Sequence, residues 1–124
     1  MDLKKKEKTV KIIGNAEIAL ARLEENIKSF ESIGKTPNKS DVQLLKSIKR
    51  ALDNLKINPF VGDQVQHNLW PREYEDLPNL FRIELSQFWR LLYYVVGDEV
   101  KIISVVFEIA DHDRYNKIFG YRGK

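Results

Sequence analysis

The sequence predicts an α+β domain in which two helices pack on one face of a small, twisted, mainly antiparallel sheet. Three observations carry that reading: two successive amphipathic stretches with helical spacing between residues 15 and 58, alternating stretches after residue 79, and a short β-branched run ahead of both.

The opening run "TVKII" (Thr9 to Ile13) is β-branched and stops at Gly14-Asn15, as an opening strand does. Asn15 is placed to cap a helix whose apolar positions Ala16, Leu20, Leu23, Ile27 and Phe30 share a face, ending by Gly34. After "KTPNK", the stretch "SDVQ" reads as a capping box of Ser40 and Gln43. Leu44, Leu45, Ile48, Leu52 and Leu55 carry a second helix to Asn58, where Pro59 stops it. The loop between the helices is short, so they pair antiparallel, and their shared apolar stripe needs a cover.

Strands around Leu80 to Leu85, Trp89 to Val96 and Val100 to Ile109 supply that cover. Gly97-Asp98 between the last two suits a two-residue type II′ turn. "VKIISVVFEI" is apolar on both parities, which predicts a central strand buried on both faces. The order is β-α-α-β-β-β, with a short helical or irregular tail.

A chain of 124 residues has room for one core, since domains run to about 100 to 150 residues, so 1–124 reads as a single domain. Its 43% hydrophobic and 31% charged residues suit a soluble globular chain and not a disordered or membrane-spanning one. The formal charge of +3 is a slight pull towards polyanions. Much of it sits in "KKKEK", so residues 1–8 read as a solvated, frayed terminus. No apolar run follows, so neither a signal peptide nor a membrane anchor is expected, and the expected location is the cytoplasm. The absence of cysteine excludes disulfides, thiolate nucleophiles and zinc–thiolate sites, and the two histidines, His67 and His112, lack the i, i+4 spacing of a metal-binding helix. No metal and no cofactor are expected.

Two stretches carry candidate chemistry. "PFVGDQVQHNLWPREYEDLPN" has no clear period, and loops of its length often carry function. His67, Trp70, Arg72 and Tyr74 interleave rings with positive charge there, as binders of single-stranded RNA do. Equally, Trp70 and Tyr74 can pin the loop to the core. The other stretch is "NLFRIELSQFWRLLYYV", Asn79 to Val95. If Ser86, Gln87 and Phe88 form a three-residue connection, Leu85 sits opposite Trp89, Glu84 opposite Arg90 and Arg82 opposite Leu92. Arg82, Glu84 and Arg90 then share one face, while Phe81, Ile83, Leu85, Trp89, Leu91 and Tyr93 face the helices. The charged face is thus the one the helices leave free. The tail "EIADHDRYNKIFGYRGK" adds His112, Arg114, Tyr115, Lys117, Tyr121 and Arg122 beside it. The plain alternative is a Glu84–Arg90 pair worth about 0.2 to 1 kcal/mol, with Arg82 simply solvated.

A strand, a helix hairpin ending in "NPFVG", then "LFRIEL", "FWRLLYYV", a turn, "VKIISVVFEI" and a Tyr-rich segment containing His112 together resemble the RelE/ParE superfamily of toxins from toxin–antitoxin pairs, from about Val10 to Tyr121. The resemblance implies two helices on a mainly antiparallel sheet and a metal-independent endoribonuclease that cuts messenger RNA at the ribosome; other branches inhibit gyrase. An antitoxin would be the protein partner, covering the helices or the charged face. Carried over by position, Arg82 is the family's first basic residue on its strand and Arg90 its arginine after the turn. Glu84 stands where many members carry a lysine, although relatives with a Glu and His pair exist. His112 and Tyr115 are closer together than the family's His and Tyr commonly are, which leaves Tyr115 and Tyr121 as alternatives for the tyrosine.

Cutting RNA without metal needs a base for the 2′ hydroxyl, cations for the charge growing on the phosphate, and an acid for the leaving oxygen. Arg82 and Arg90 suit the second task, because the guanidinium fork matches phosphate oxygens and stays charged. His112 suits acid or base work, Glu84 the opposing base, and Tyr115 or Tyr121 a stacking or donating role. Lys117, Tyr121, Arg122, Arg72 and Trp70 are the candidate RNA contacts.

Overall fold

The computed structural model describes residues 5–120. An N-terminal strand β1 (Glu7–Ile12) leads into helices α1 (Gly14–Ser32) and α2 (Lys39–Ile57). Then come a two-residue strand β2 (Asp63–Gln64), strands β3 (Phe81–Glu84), β4 (Arg90–Gly97) and β5 (Lys101–Ala110), and a short helix α3 (His112–Phe119). The fold is α+β: one open sheet of order β1-β5-β4-β3-β2, antiparallel except for the parallel β1–β5 pair. The central position read from "VKIISVVFEI" is observed, with β5 flanked by β1 and β4.

Register follows the alternation. Phe81 pairs with Tyr93, Arg82 with Leu92, Ile83 with Leu91 and Glu84 with Arg90, and the Leu85 amide donates to the Trp89 carbonyl at 2.9 Å across the three-residue connection. One face of this hairpin, Phe81, Leu91 and Tyr93 with the partly buried Ile83, Leu85 and Trp89, packs on Ala16, Leu44, Ile48, Ala51 and Leu55 of the helices. Trp89 lies at the margin of that core; the completely buried aromatic is Tyr93, whose hydroxyl donates to the Pro59 carbonyl at 2.8 Å and accepts from the Gly62 amide at 3.0 Å. A side chain on Gly62 would collide with that same tyrosine, so the "NPFVG" turn and Tyr93 fit only as a pair.

Several local expectations are corrected. Asn15 does not cap α1: the helix begins at Gly14 behind Ile13, and the Asn15 amide donates instead to Glu108 at 3.2 Å. Asn38, not Ser40, caps α2, because its shorter reach accepts both the Ser40 amide at 2.8 Å and the Ser40 hydroxyl at 2.5 Å. Gly97 lies in β4, and the hairpin turn is built by Asp98, whose carboxylate accepts from the amides of Val100 and Lys101 at 2.8 and 2.9 Å. Glu7 and Lys8 are not a frayed terminus; they open β1, and the Lys6 ammonium donates to the Asp98 carbonyl at 2.6 Å. Lys4 lies outside the described residues. The aperiodic loop contains β2 and short 3₁₀ turns at His67–Leu69 and Arg72–Tyr74.

The largest correction concerns the second face of the sheet. A bulge at Phe107, between the pairs Leu92–Glu108 and Tyr93–Val106, swings the end of β5 and starts α3 back across that face. Leu92, Ala110 and Tyr115 form a smaller core there with Tyr74, Phe107, Ile118 and Phe119. The charged face is therefore free of α1 and α2 but partly covered by α3.

Candidate active site

The hairpin β3–β4 places Arg82, Glu84 and Arg90 on the second face, and α3 brings Tyr115 down onto them. The helix orientation has an identifiable cause. Asp111 caps α3 by accepting the Arg114 amide at 2.8 Å, and the Arg114 guanidinium forks onto buried Glu108 through Nε and Nη2, both at 3.1 Å. That bidentate pair, joined by the Asn15 amide, ties α3, β5 and the first turn of α1 together and raises the Arg114 pKa through the hydrogen bond to Glu108. With Arg114 fixed outward, the next residue, Tyr115, turns to the sheet and is only 3% exposed.

Arg82 Nη1 donates to the Tyr115 hydroxyl at 2.9 Å, and the Arg90 guanidinium carbon lies 5.3 Å from the centre of the Tyr115 ring, within cation–π range. The hydrogen bond to Tyr115 raises the Arg82 pKa further above its already high usual value. Glu84 answers them weakly: its Oε1 is 3.7 Å from Arg90 Nε, and its side chain is 65% exposed against 14% for Arg90. The Nε atoms of both arginines are shielded from water and lack a hydrogen-bond partner. Arg90 Nη1 donates to the Phe88 carbonyl at 2.5 Å. His112, the first residue of α3, is exposed; its ring stands 6.1 Å from that of Phe88, and its Nε2 is 3.2 Å from the Asn116 amide nitrogen, which donates.

Arg82, Glu84, Arg90 and Tyr115 are thus brought together, with His112 on the rim by way of Phe88. The remaining candidates stand apart. Trp70 is pinned, its indole nitrogen donating to the Val65 carbonyl at 2.9 Å and its ring 4.6 Å from His67. Arg72 is exposed on its 3₁₀ turn, while Tyr74 two residues later packs edge-on to Phe107. Lys117 is exposed on α3, two positions past Tyr115 and so about 200° around the helix from it. Tyr121 and Arg122 lie outside the described residues. An open groove of about 970 Å³ is floored by Ala19, Leu23, Leu44, Ile48, Trp89 and Ile109; it touches Glu108, Asp111 and Arg114 but none of the clustered arginines. Among the described residues no group of three or more His, Asp and Glu is arranged to hold a metal ion.

Two residues of this region were not singled out from the sequence. Glu108 reads there as one polar position in an apolar strand, although a carboxylate six residues before an arginine across a strand-to-helix junction is a legible pairing. Phe88 reads only as the last residue of the three-residue connection; it is 72% exposed with φ at 64°.

Fold and site together define an α+β protein that gathers two guanidinium groups around one buried tyrosine on the sheet face opposite its helix hairpin. No protein-family model, curated protein or solved structure matches the chain.

Proposed function

We propose that the chain is a RelE-like toxin of a toxin–antitoxin pair, a metal-independent endoribonuclease that cuts messenger RNA at the ribosome. The observation that supports this reading best is the Arg82–Tyr115–Arg90 cluster, two guanidinium groups faced by Glu84, loosely placed at 3.7 Å from Arg90, and by Asp63, the register partner of Arg82 on β2. Such a site favours a phosphate oxyanion, and charge growing on that phosphate during cleavage is stabilised by donors already in place. Glu84 is exposed and can turn from Arg90 to accept the 2′ hydroxyl proton; His112 on the opposite rim is the acid for the leaving 5′ oxygen. Tyr115 acts by holding the two arginines.

A second reading is favoured by the same tyrosine's burial: Arg82 and Tyr115 fasten α3 to the sheet, and the chain is a non-catalytic binding module of that fold, a gyrase-type inhibitor or a degenerate regulator. Cleavage by the unmutated chain separates the two, and Glu84→Gln tests the base. As a base, Glu84 is needed for chemistry, and the single-turnover cleavage of ribosome-bound message slows by about 10²- to 10⁴-fold with RNA affinity at fixed salt unchanged or tighter. Unchanged cleavage reassigns Glu84 as Arg90's structural partner; no cleavage by the unmutated chain leaves the binding module.

A further inference from the structure

We infer that Phe88 is a stacking platform for one unpaired base of the bound RNA, set beside the arginine that takes the phosphate. The inference rests on the RNA reading above and adds a specificity-determining residue to it. Phe88 stands in a left-handed backbone conformation, φ 64°, directly after Gln87 at φ 59°. Two successive non-glycine residues there are unusual, and for a bulky aromatic the conformation is strained.

Its surroundings explain how that conformation is held. The Gln87 side chain donates to the Ser40 carbonyl at 2.8 Å, and the Ser86 amide donates to the Ser47 hydroxyl at 3.3 Å, so the first two residues of the turn are fastened to α2. Phe88 is turned the other way. Its carbonyl accepts from Arg90 Nη1, and its ring, 72% exposed, meets only the edge of His112 among the ring contacts described. Glycine would adopt this backbone without strain and would forfeit little buried area. What the phenylalanine adds is a solvent-facing π surface two residues before a phosphate-binding arginine, the pairing of stacking and charge by which single-stranded RNA is held.

The test compares Phe88→Gly, Phe88→Leu and Phe88→Trp with the unmutated chain in fixed-salt anisotropy titrations of a short single-stranded oligoribonucleotide. Calorimetric titration with inorganic polyphosphate, which carries charge but no bases, runs beside them. Stacking predicts that Gly and Leu weaken RNA binding by about 5- to 150-fold while Trp retains it. Polyphosphate affinity stays constant across the set, and Phe88→Gly melts no lower than the unmutated chain. RNA binding that is unchanged in Phe88→Gly, or polyphosphate binding that falls in step, overturns the stacking role and leaves the arginine site standing. An unmutated chain that binds no RNA removes the functional reading and this inference with it. Should the Gly variant fold poorly, the Leu and Trp pair decides alone, since both keep an L side chain at the same backbone angle.

Discussion

Arg90 and Tyr115 are the residues at which structure and chemistry are hardest to part. Arg90 covers the Tyr115 ring, donates to the carbonyl of Phe88 and lies 3.7 Å from Glu84, whose carboxylate is exposed, so its removal leaves no buried charge behind. Arg90→Ala is therefore expected to stay folded by circular dichroism while cleavage of ribosome-bound message falls by about 10²- to 10³-fold, the usual effect of removing one charge-stabilising donor. Undiminished cleavage takes Arg90 out of the site. Tyr115→Phe should act on stability as well. It leaves Arg82 without its hydroxyl acceptor in a shielded position, where Arg82 Nε already lacks a partner, and the expected loss is about 1.5 to 3 kcal/mol of stability by urea denaturation. A variant as stable as the parent would mean that Arg82 finds water once the hydroxyl is gone, and that the bond does not fasten α3.

The helix α3 is the element on which the site depends, and Glu108 and Arg114 hold it. Their pair is asymmetric, with side chains 3% and 51% exposed respectively. Arg114→Met strands a carboxylate in the protein, whereas Glu108→Gln leaves a neutral amide and an arginine free to reach water. After discounting for the half-exposed arginine, Arg114→Met should cost about 1 to 3 kcal/mol and Glu108→Gln distinctly less, read from denaturation midpoints; the opposite order would place the ion pair's weight on Arg114. This element also marks where the sequence stops being legible. The β3–β4 register could be read because side-chain alternation and a three-residue connection admit one pairing, and a slip by one residue would turn Phe81, Leu91 and Tyr93 to the wrong face. The direction of α3 could not be read from alternation, since it turns on a bulge at Phe107 and on a local ion pair between Glu108 and Arg114, six residues apart, neither of which has a period. The misplaced caps have a similar origin: Asn15 and Ser40 are good capping residues, but Glu108 and Asn38 offered their polar groups stronger partners in three dimensions.

At the scale of the whole molecule, the sheet is clad on both faces, by the helix hairpin on one and by α3 with the Tyr74 loop on the other, and each face buries a tyrosine hydroxyl that titrates late. Burial raises the Tyr93 pKa, and burial together with Glu108 and Glu73 pushes Tyr74 up to about 12 from 10.0. The folded chain therefore holds these protons after the unfolded chain has released them, so their contribution to stability is complete below pH 10 and is lost as the pH climbs from about 10 towards 12. Tyr93→Phe isolates the effect. It removes the bonds to Pro59 and Gly62, so at neutral pH the variant should be less stable by about 1 to 3 kcal/mol. It also removes one buried group that must ionise on unfolding, so its stability should fall less steeply above pH 10 than that of the parent, and the two curves should converge. Lysines and exposed tyrosines titrate in the same range but are common to both chains and cancel in the comparison. Denaturation midpoints of the pair across this window, followed beside tyrosinate absorbance, give the answer: parallel curves would mean that Tyr93 ionises in the folded state as readily as in the unfolded chain, and that the turn of Pro59 to Gly62 opens to water before the core does.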